Sequence, residues 1–319
     1  MAIQYGFNSF IRLDQESAWG TAVSSPGVSN RIISCTLQRT QERERKTHLS
    51  TPASGMLSGL FDGFENTGGN ITMPICYTGQ GQLIKCALGA VTTTGSGPTY
   101  THLYSPNFDP PSMTIQFERG TGLTDAMEEF TGCMVSQMTL SCEAGGEMTG
   151  SFDIIAKTGA ARSGSATAAS YGSGDQIFHF ESGTLAYNSN TYTIRSFELT
   201  LNNNLDRRNN LGSKLTGEPV FSDVREVTMA ITADMEDNNL YNSMLAGDQS
   251  DVTLVFTSTA NAAHTFKIKL TQALLQDYSD NITSFGRVER SFTFLGTASA
   301  AHAGLEIEII NGAASATTN

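Results

Sequence analysis

The sequence has no long apolar run. None of its hydrophobic stretches approaches the length that crosses a bilayer, and no N-terminal segment joins positive residues to an apolar core, so neither a membrane span nor a signal peptide is expected. Charge is also scarce, at 16% of 319 residues, and acidic groups outnumber basic ones by 31 to 19. A net charge of −12 argues against a protein that clamps a phosphate backbone through a basic patch. It is compatible with one that repels nucleic acid while letting it pass. The cysteines are few and odd in number: Cys35, Cys76, Cys86, Cys133 and Cys142 all lie in the first half, with no Cys-x-x-Cys pair. That distribution suits neither a disulfide framework nor a zinc site, and reduced thiols in a reducing cytoplasm are expected.

The sequence also lacks the usual signatures of catalysis. His48, His102, His179, His264 and His302 are scattered, with no spacing that would gather metal ligands on one element. There is no nucleophile elbow, no phosphate-binding loop and no dinucleotide fingerprint. Asp62, Glu65, Glu128, Glu129 and Glu143 are the acids from which a glycosidase pair would have to come. Loops of β proteins carry such acids without catalysis, so no enzyme, cofactor or metal is expected. Asn281-Ile282-Thr283 fits a glycosylation acceptor, which has no meaning without secretion.

What the sequence does hold is Gly, Ser, Thr and Asn around short alternating apolar segments. GNITMPI sets Ile71, Met73 and Ile75 on one face, and REVTMAI sets Val227, Met229 and Ile231 likewise. Met113, Ile115 and Phe117 in SMTIQF have counterparts in Val252, Leu254 and Phe256 of DVTLVF. Period-two alternation marks strands with one buried face. Four ordered matches align the halves: Thr72 with Thr228, Leu83 with Leu240, Thr114 with Thr253 and Phe152 with Phe292. One insertion after Leu88, the Gly/Thr/Pro-rich stretch VTTTGSGPTYTHLYSPNFDPP read as a loop, explains the change of spacing. Leu83-Ile84-Leu88 and Leu240-Met244-Leu245 each suit a short helix against a sheet.

SCTLQRTQERERKTHL from Ser34 and SFELTLNNNLDRRNNL from Ser196 both begin as strands and turn polar and charged. Each half therefore reads strand, long polar loop, strand, short helix, strand, strand. The expected fold is mainly β, two tandem β-sandwich domains, each with a short flanking helix and a long inter-strand loop. The boundaries are 1–158 and 176–319, with the small-residue stretch 159–175 as a linker or surface loop. Exposed strand edges in such units call for another copy, because closing a ring removes edges altogether.

The charged run QRTQERERKTH is either a solvated loop or a contact between stacked copies, through Arg39, Glu42, Arg43, Glu44, Arg45 and Lys46, with Arg207 and Arg208 in the matching loop. Surplus acid is expected to line an inner passage, or simply to keep the protein soluble.

RLDQESAWGTA at Arg12 to Ala22, with Glu16, Trp19, Gly20 and Thr21, then GGNITMPICY, GQLIKCALGA, GCMVSQMTLSCEAGGEMTGSFDI and FTFLGTAS, together cover most of the chain. In that order they resemble the major tail tube proteins of long-tailed bacteriophages, of the duplicated two-domain type. The resemblance implies a structural virion protein, made in the bacterial cytoplasm, whose rings stack into the hollow conduit for genome ejection. It implies rings of three chains with pseudo-sixfold symmetry, or hexamers as in single-domain relatives. It further implies tape measure, tail terminator and tip proteins as partners, with double-stranded DNA passing unbound and no membrane contact. A baseplate, tail-tip or capsid-decoration module is the alternative.

Overall fold

The alternating segments form strands in a computed structural model that describes residues 6, 9–45, 59–97, 99–120, 126–164, 166–171, 176–188, 190–234, 238–259, 261, 263–279, 289–299 and 302–316. The N-terminal half contains β1 (Phe10–Gln15), β2 (Val28–Asn30), β3 (Ser34–Cys35), β4 (Gln38–Arg45), β5 (Leu60–Pro74) and helix α1 (Gly81–Leu88). It continues with β6 (Gly89–Ser96), β7 (Thr99–Pro106), β8 (Met113–Glu118), β9 (Met127–Glu143), β10 (Thr149–Ala156) and β11 (Thr158–Gly159). The C-terminal half holds β12 (Gly183–Tyr187), β13 (Asn190–Tyr192), β14 (Ile194–Asn202), β15 (Leu205–Arg208), β16 (Gly217–Phe221) and β17 (Glu226–Asp234). Helix α2 (Asn239–Ala246), β18 (Gln249–Thr257), β19 (Thr265–Ser279), β20 (Glu289–Leu295) and β21 (Leu305–Asn311) complete it.

In the N-terminal half, β3 and β4 pair along one side of β5 and β10 along the other, with Ile71 opposite Phe152. β10 then meets the later part of β9, with Phe152 opposite Met138. The register shifts between Gln137–Asp153 and Val135–Ile154, leaving Ser136 as an extra residue. Such a bulge bends its strand. Residues Met127–Cys133 of β9 belong instead to a second layer with β8, β1 and β2. Between the layers lie Met138, Leu140 and Phe152 from one and Ile11, Leu13 and Ile115 from the other, all with no exposed surface. Phe152→Ala in such a core costs about 3–5 kcal/mol.

The C-terminal half follows the same order. β14, β17, β20 and the end of β19 form one layer, and the start of β19 with β18, β12 and β13 forms the other. The bulge recurs at Gln276, between Asp277–Thr293 and Leu275–Phe294.

These registers correct the alignment read from the sequence. Ile71 faces Phe152 as Ile231 faces Phe292, so Thr72 corresponds to Thr232 rather than Thr228. Ile115 opposite Phe130 likewise corresponds to Val252 opposite Leu270. A slip by an even number of residues leaves every side chain on its original face, so alternation cannot detect it.

The stretch after Leu88 is a hairpin rather than a loop: β6 pairs with β7 along its whole length, and β7 pairs with β21 of the other half. The β-branched run Val91, Thr92, Thr93 and Thr94 and the aromatic Tyr100 and Tyr104 favour strands, and β21 supplies the missing edge. The described part of 159–175 is laid along the first half. Gly159 pairs with Phe130, the Ala160 N–H donates to the Glu129 carbonyl (2.7 Å), and the Ser163 N–H donates to the Met127 carbonyl (3.1 Å).

Candidate functional site

The two halves are joined by an antiparallel pairing of β14 with β9, in which Leu199 lies opposite Leu140 and Thr200 opposite Thr139. One sheet of eight strands results, in the order β3–β5–β10–β9–β14–β17–β20–β19. Its inward face holds Leu140, Leu199, Met229 and Phe292. Residues directly opposite share a face, so the other face carries Ser151, Thr139, Thr200 and Thr228, and with them Asp153, Glu198, Glu226 and Asp277.

Among the described residues these strands put no lysine on that polar face, and one arginine, Arg195, at its end. Arg195 pairs there with Glu289 and with Asp234 (3.7 Å). Neighbouring side chains bind one another: Asn70 Nδ2 donates to Ser151 Oγ and Asp153 Oδ1, both at 2.7 Å. The face curves into a trough of about 580 Å³ across the β9–β14 junction, lined by Ser141, Glu143, Glu147, Glu198, Thr232 and Ser291. Hydroxyls, amides and carboxylates on a concave wall favour hydration and repel anions.

Among the described strands, both ends of this sheet are edges. Among the described strands β3 has a partner only in β5, and the final residues of β19, Leu274–Ser279, pair chiefly with β20. The internal junction is sealed by more than its ladder. Asn203, fully buried, donates through Nδ2 to the carbonyls of Ala87 (2.9 Å) and Val135 (2.8 Å). Arg225 Nη1 donates to the Leu88 carbonyl (3.2 Å) while the guanidinium lies over Phe221, 4.6 Å from the ring centre. Burial pulls Arg225 down to about 10. Arg207 donates to the carbonyls of Ala156 (3.3 Å) and Thr67. Sequence reasoning passed over Asn203 and Arg225, which carry no motif and matter only because two halves meet there.

The charged candidates divide. Arg39 Nη2 pairs with the buried Glu65 (2.8 Å) and its Nη1 donates to the Gly159 carbonyl (3.2 Å), so it is engaged within the chain, as is Arg207. Glu42 accepts from Asn66 Nδ2 (2.6 Å). Arg43, Glu44, Arg45 and Arg208 are exposed, the first three on the arm that β4 makes with β5. Lys46 lies outside the described residues. The twelve strand candidates, Ile71, Met73, Ile75, Val227, Met229, Ile231, Met113, Ile115, Phe117, Val252, Leu254 and Phe256, are all buried.

The acids considered for catalysis are dispersed. Glu128 pairs with Arg119 and Arg162, Asp62 with Lys214 (2.5 Å), and Glu129 accepts from Gln116 (2.8 Å). Among the described residues no three His, Cys, Asp or Glu side chains are grouped to hold a metal ion. All five cysteines are free thiols, and burial pushes Cys86 up to about 12. Asn281-Ile282-Thr283 and His48 lie outside the described residues.

The N-terminal motif is a structural knot. Glu16, almost wholly buried, accepts from the Gly20 and Gly132 N–H groups (2.7 and 2.8 Å) and from Ser112 Oγ and Thr114 Oγ1 (2.7 and 2.9 Å). The Lys157 ammonium lies 4.7 Å from the centre of the Trp19 ring.

Compared with known protein families, residues 6–314 match the model described as phage tail tube protein. No curated protein matches.

Proposed function

The chain belongs to the phage tail tube protein family, a family of structural virion tail components, and from that premise we propose that it builds the tube as a tandem of two tail-tube-like domains. Domains 1–158 and 176–319, with 159–175 crossing between them, arise in this reading by internal duplication. Three chains close a ring of six domains, rings stack, and the genome leaves through the lumen. The eight-stranded polar face is the lumen wall.

The observation that carries this reading is the β9–β14 junction. It joins two like layers edge to edge and leaves one β3 edge and one β19 edge per chain. A head-to-tail contact between those edges repeats the internal junction, and a repeated heterologous contact closes a ring when its rotation permits. Closure also covers the exposed edges, which would otherwise recruit unrelated strands. The acidic face then surrounds the passing DNA without holding it, and the tape measure, terminator and tip proteins named by the family resemblance meet the tube inside and at its ends.

Negative-stain microscopy of the concentrated protein tests the reading. Hollow rods with threefold or pseudo-sixfold end views are expected. A small closed oligomer that never elongates is the outcome that favours a decoration or tail-tip module instead.

A further inference from the structure

The internal β9–β14 junction has a register that carries over to the two sheet edges. In it Asn202 lies opposite Gln137, Leu201 opposite Met138 and Thr200 opposite Thr139. The ladders within each half show which residues stand in the same places. On the β14 side, Leu201 faces Val227, which corresponds to Thr67 as Ile231 does to Ile71, and Thr67 faces Arg39. Thr40, Arg39 and Gln38 therefore stand where Asn202, Leu201 and Thr200 stand. On the β9 side, Met138 faces Phe152 and Tyr278 faces Phe292, while Gln137 faces Asp153 and Asp277 faces Thr293. Asp277, Tyr278 and Ser279 therefore stand where Gln137, Met138 and Thr139 stand.

Two further features agree with this correspondence. The bulged residue, Ser136 in one half and Gln276 in the other, immediately precedes each of these β9 and β19 segments. Asn203, whose side-chain amide donates across the internal junction to the Val135 carbonyl (2.8 Å), corresponds to Gln41, another carboxamide. In the single chain the Gln41 side chain lies at Asp62 instead.

We propose that in the ring Thr40 of one copy lies opposite Asp277 of the next, with Arg39 opposite Tyr278 and Gln38 opposite Ser279. The inference rests on the ring reading and assigns the register of its contact. Alternation alone would accept a slip of two residues, which keeps every side chain on its face; the ladders of the two halves do not. Beside Gln38 the Leu37 carbonyl is held by Arg119 Nη2 (2.8 Å), so the pairing begins at Gln38. The seam between chains is also the more polar of the two. Leu201 and Met138 have no exposed surface. Arg39 is ion-paired with Glu65 (2.8 Å), and the Tyr278 ring packs on Tyr241 with centroids 5.6 Å apart.

Paired cysteines read the register directly. The Asn203 N–H donates to the Ser136 carbonyl (2.8 Å), so Asn202–Gln137 is a non-hydrogen-bonded pair, the kind with closer side chains. Thr40–Asp277 is of the same kind by correspondence. Full-length Thr40→Cys with Asp277→Cys is compared with the two slipped pairs, Gln38→Cys with Asp277→Cys and Thr40→Cys with Ser279→Cys. Wild type is the blank, and Asn202→Cys with Gln137→Cys calibrates the oxidation inside one chain. Non-reducing gels of oxidised assemblies are expected to show the matched pair linking chains at least about tenfold faster than either slipped pair, because a disulfide needs Cβ atoms about 4 Å apart. Faster linking by a slipped pair, or a matched pair that assembles and stays unlinked, overturns the register and leaves the ring reading standing. Thr40→Glu needs no cysteine and sets an acid opposite Asp277. It is expected to raise the concentration at which light scattering reports assembly, and added Asp277→Lys to restore it. Thr40→Glu assembling at the wild-type concentration overturns the contact. Wild type that forms neither rings nor rods overturns the ring reading, and the register with it.

Discussion

Four donors converge on the Glu16 carboxylate, two of them backbone groups from separate turns of the chain. Removing the acceptor strands those donors in a dry site, so Glu16→Ala is expected to cost about 3 kcal/mol, read as a lowered urea midpoint with unchanged slope. His102 makes a second residue-scale prediction. Its ring lies between Thr93 Oγ1 (2.9 Å) and the Ala313 carbonyl (3.0 Å), where neutral imidazole can accept at Nδ1 and donate at Nε2. Burial holds it below its ordinary value of 6.5. The unfolded chain therefore binds a proton that the folded one resists. The stability contributed by the neutral ring is complete above 6.5 and is lost as pH falls from there through the folded value. Melting temperature is expected to fall between about pH 7 and 5, and His102→Gln to flatten that dependence. The acidic cluster around Asp62 and Glu65 was legible in the sequence as charge, but its partners Lys214 and Arg39 were not, because they arrive from distant turns.

At the scale of elements, β5 shows what alternation does and does not reveal. Its apolar residues declared a strand that opens with Gly69, whereas the observed strand starts at Leu60 and holds both Gly68 and Gly69 in its interior. They sit inside the strand at φ 155° and 151°, where the β4–β5 arm leaves the sheet and neighbouring backbones crowd in. A Cβ on Gly69 would lie 2.5 Å from the Thr36 carbonyl oxygen, and backbone cannot yield as a side chain can. Gly69→Val is expected to cost about 2–3 kcal/mol and to loosen β3, measured by the urea midpoint and by amide exchange at Thr36 and Asn70. The β6–β7 hairpin was missed for a different reason. Its ladder is completed by β21, where Tyr104 meets Ile307, and a partner so distant in the chain leaves no local signal.

In the proposed tube, the exposed arm residues belong to axial growth rather than to lateral closure. Arg43 and Arg45 make none of the contacts that hold Arg39 and Arg207, and individual surface ion pairs contribute about 0–1 kcal/mol. Repeated around a ring and along a tube, such contacts sum. Arg43→Glu with Arg45→Glu is expected to leave rings intact and to stop their stacking, with the wild-type junction weakening as salt rises. Electron microscopy checks it, and normal rods from the double variant would remove the arm from axial contact.

The sequence by itself determined the β class, the two helices, the buried strand faces and the recurrence of one pattern in both halves, because period-two alternation is written locally in side chains. Tertiary structure alone decided the register between halves, the hairpin grafted from one half onto the other, and the continuous acidic face with its two open edges. Those depend on which backbones meet, and hydrogen bonds between distant strands involve groups that every residue shares.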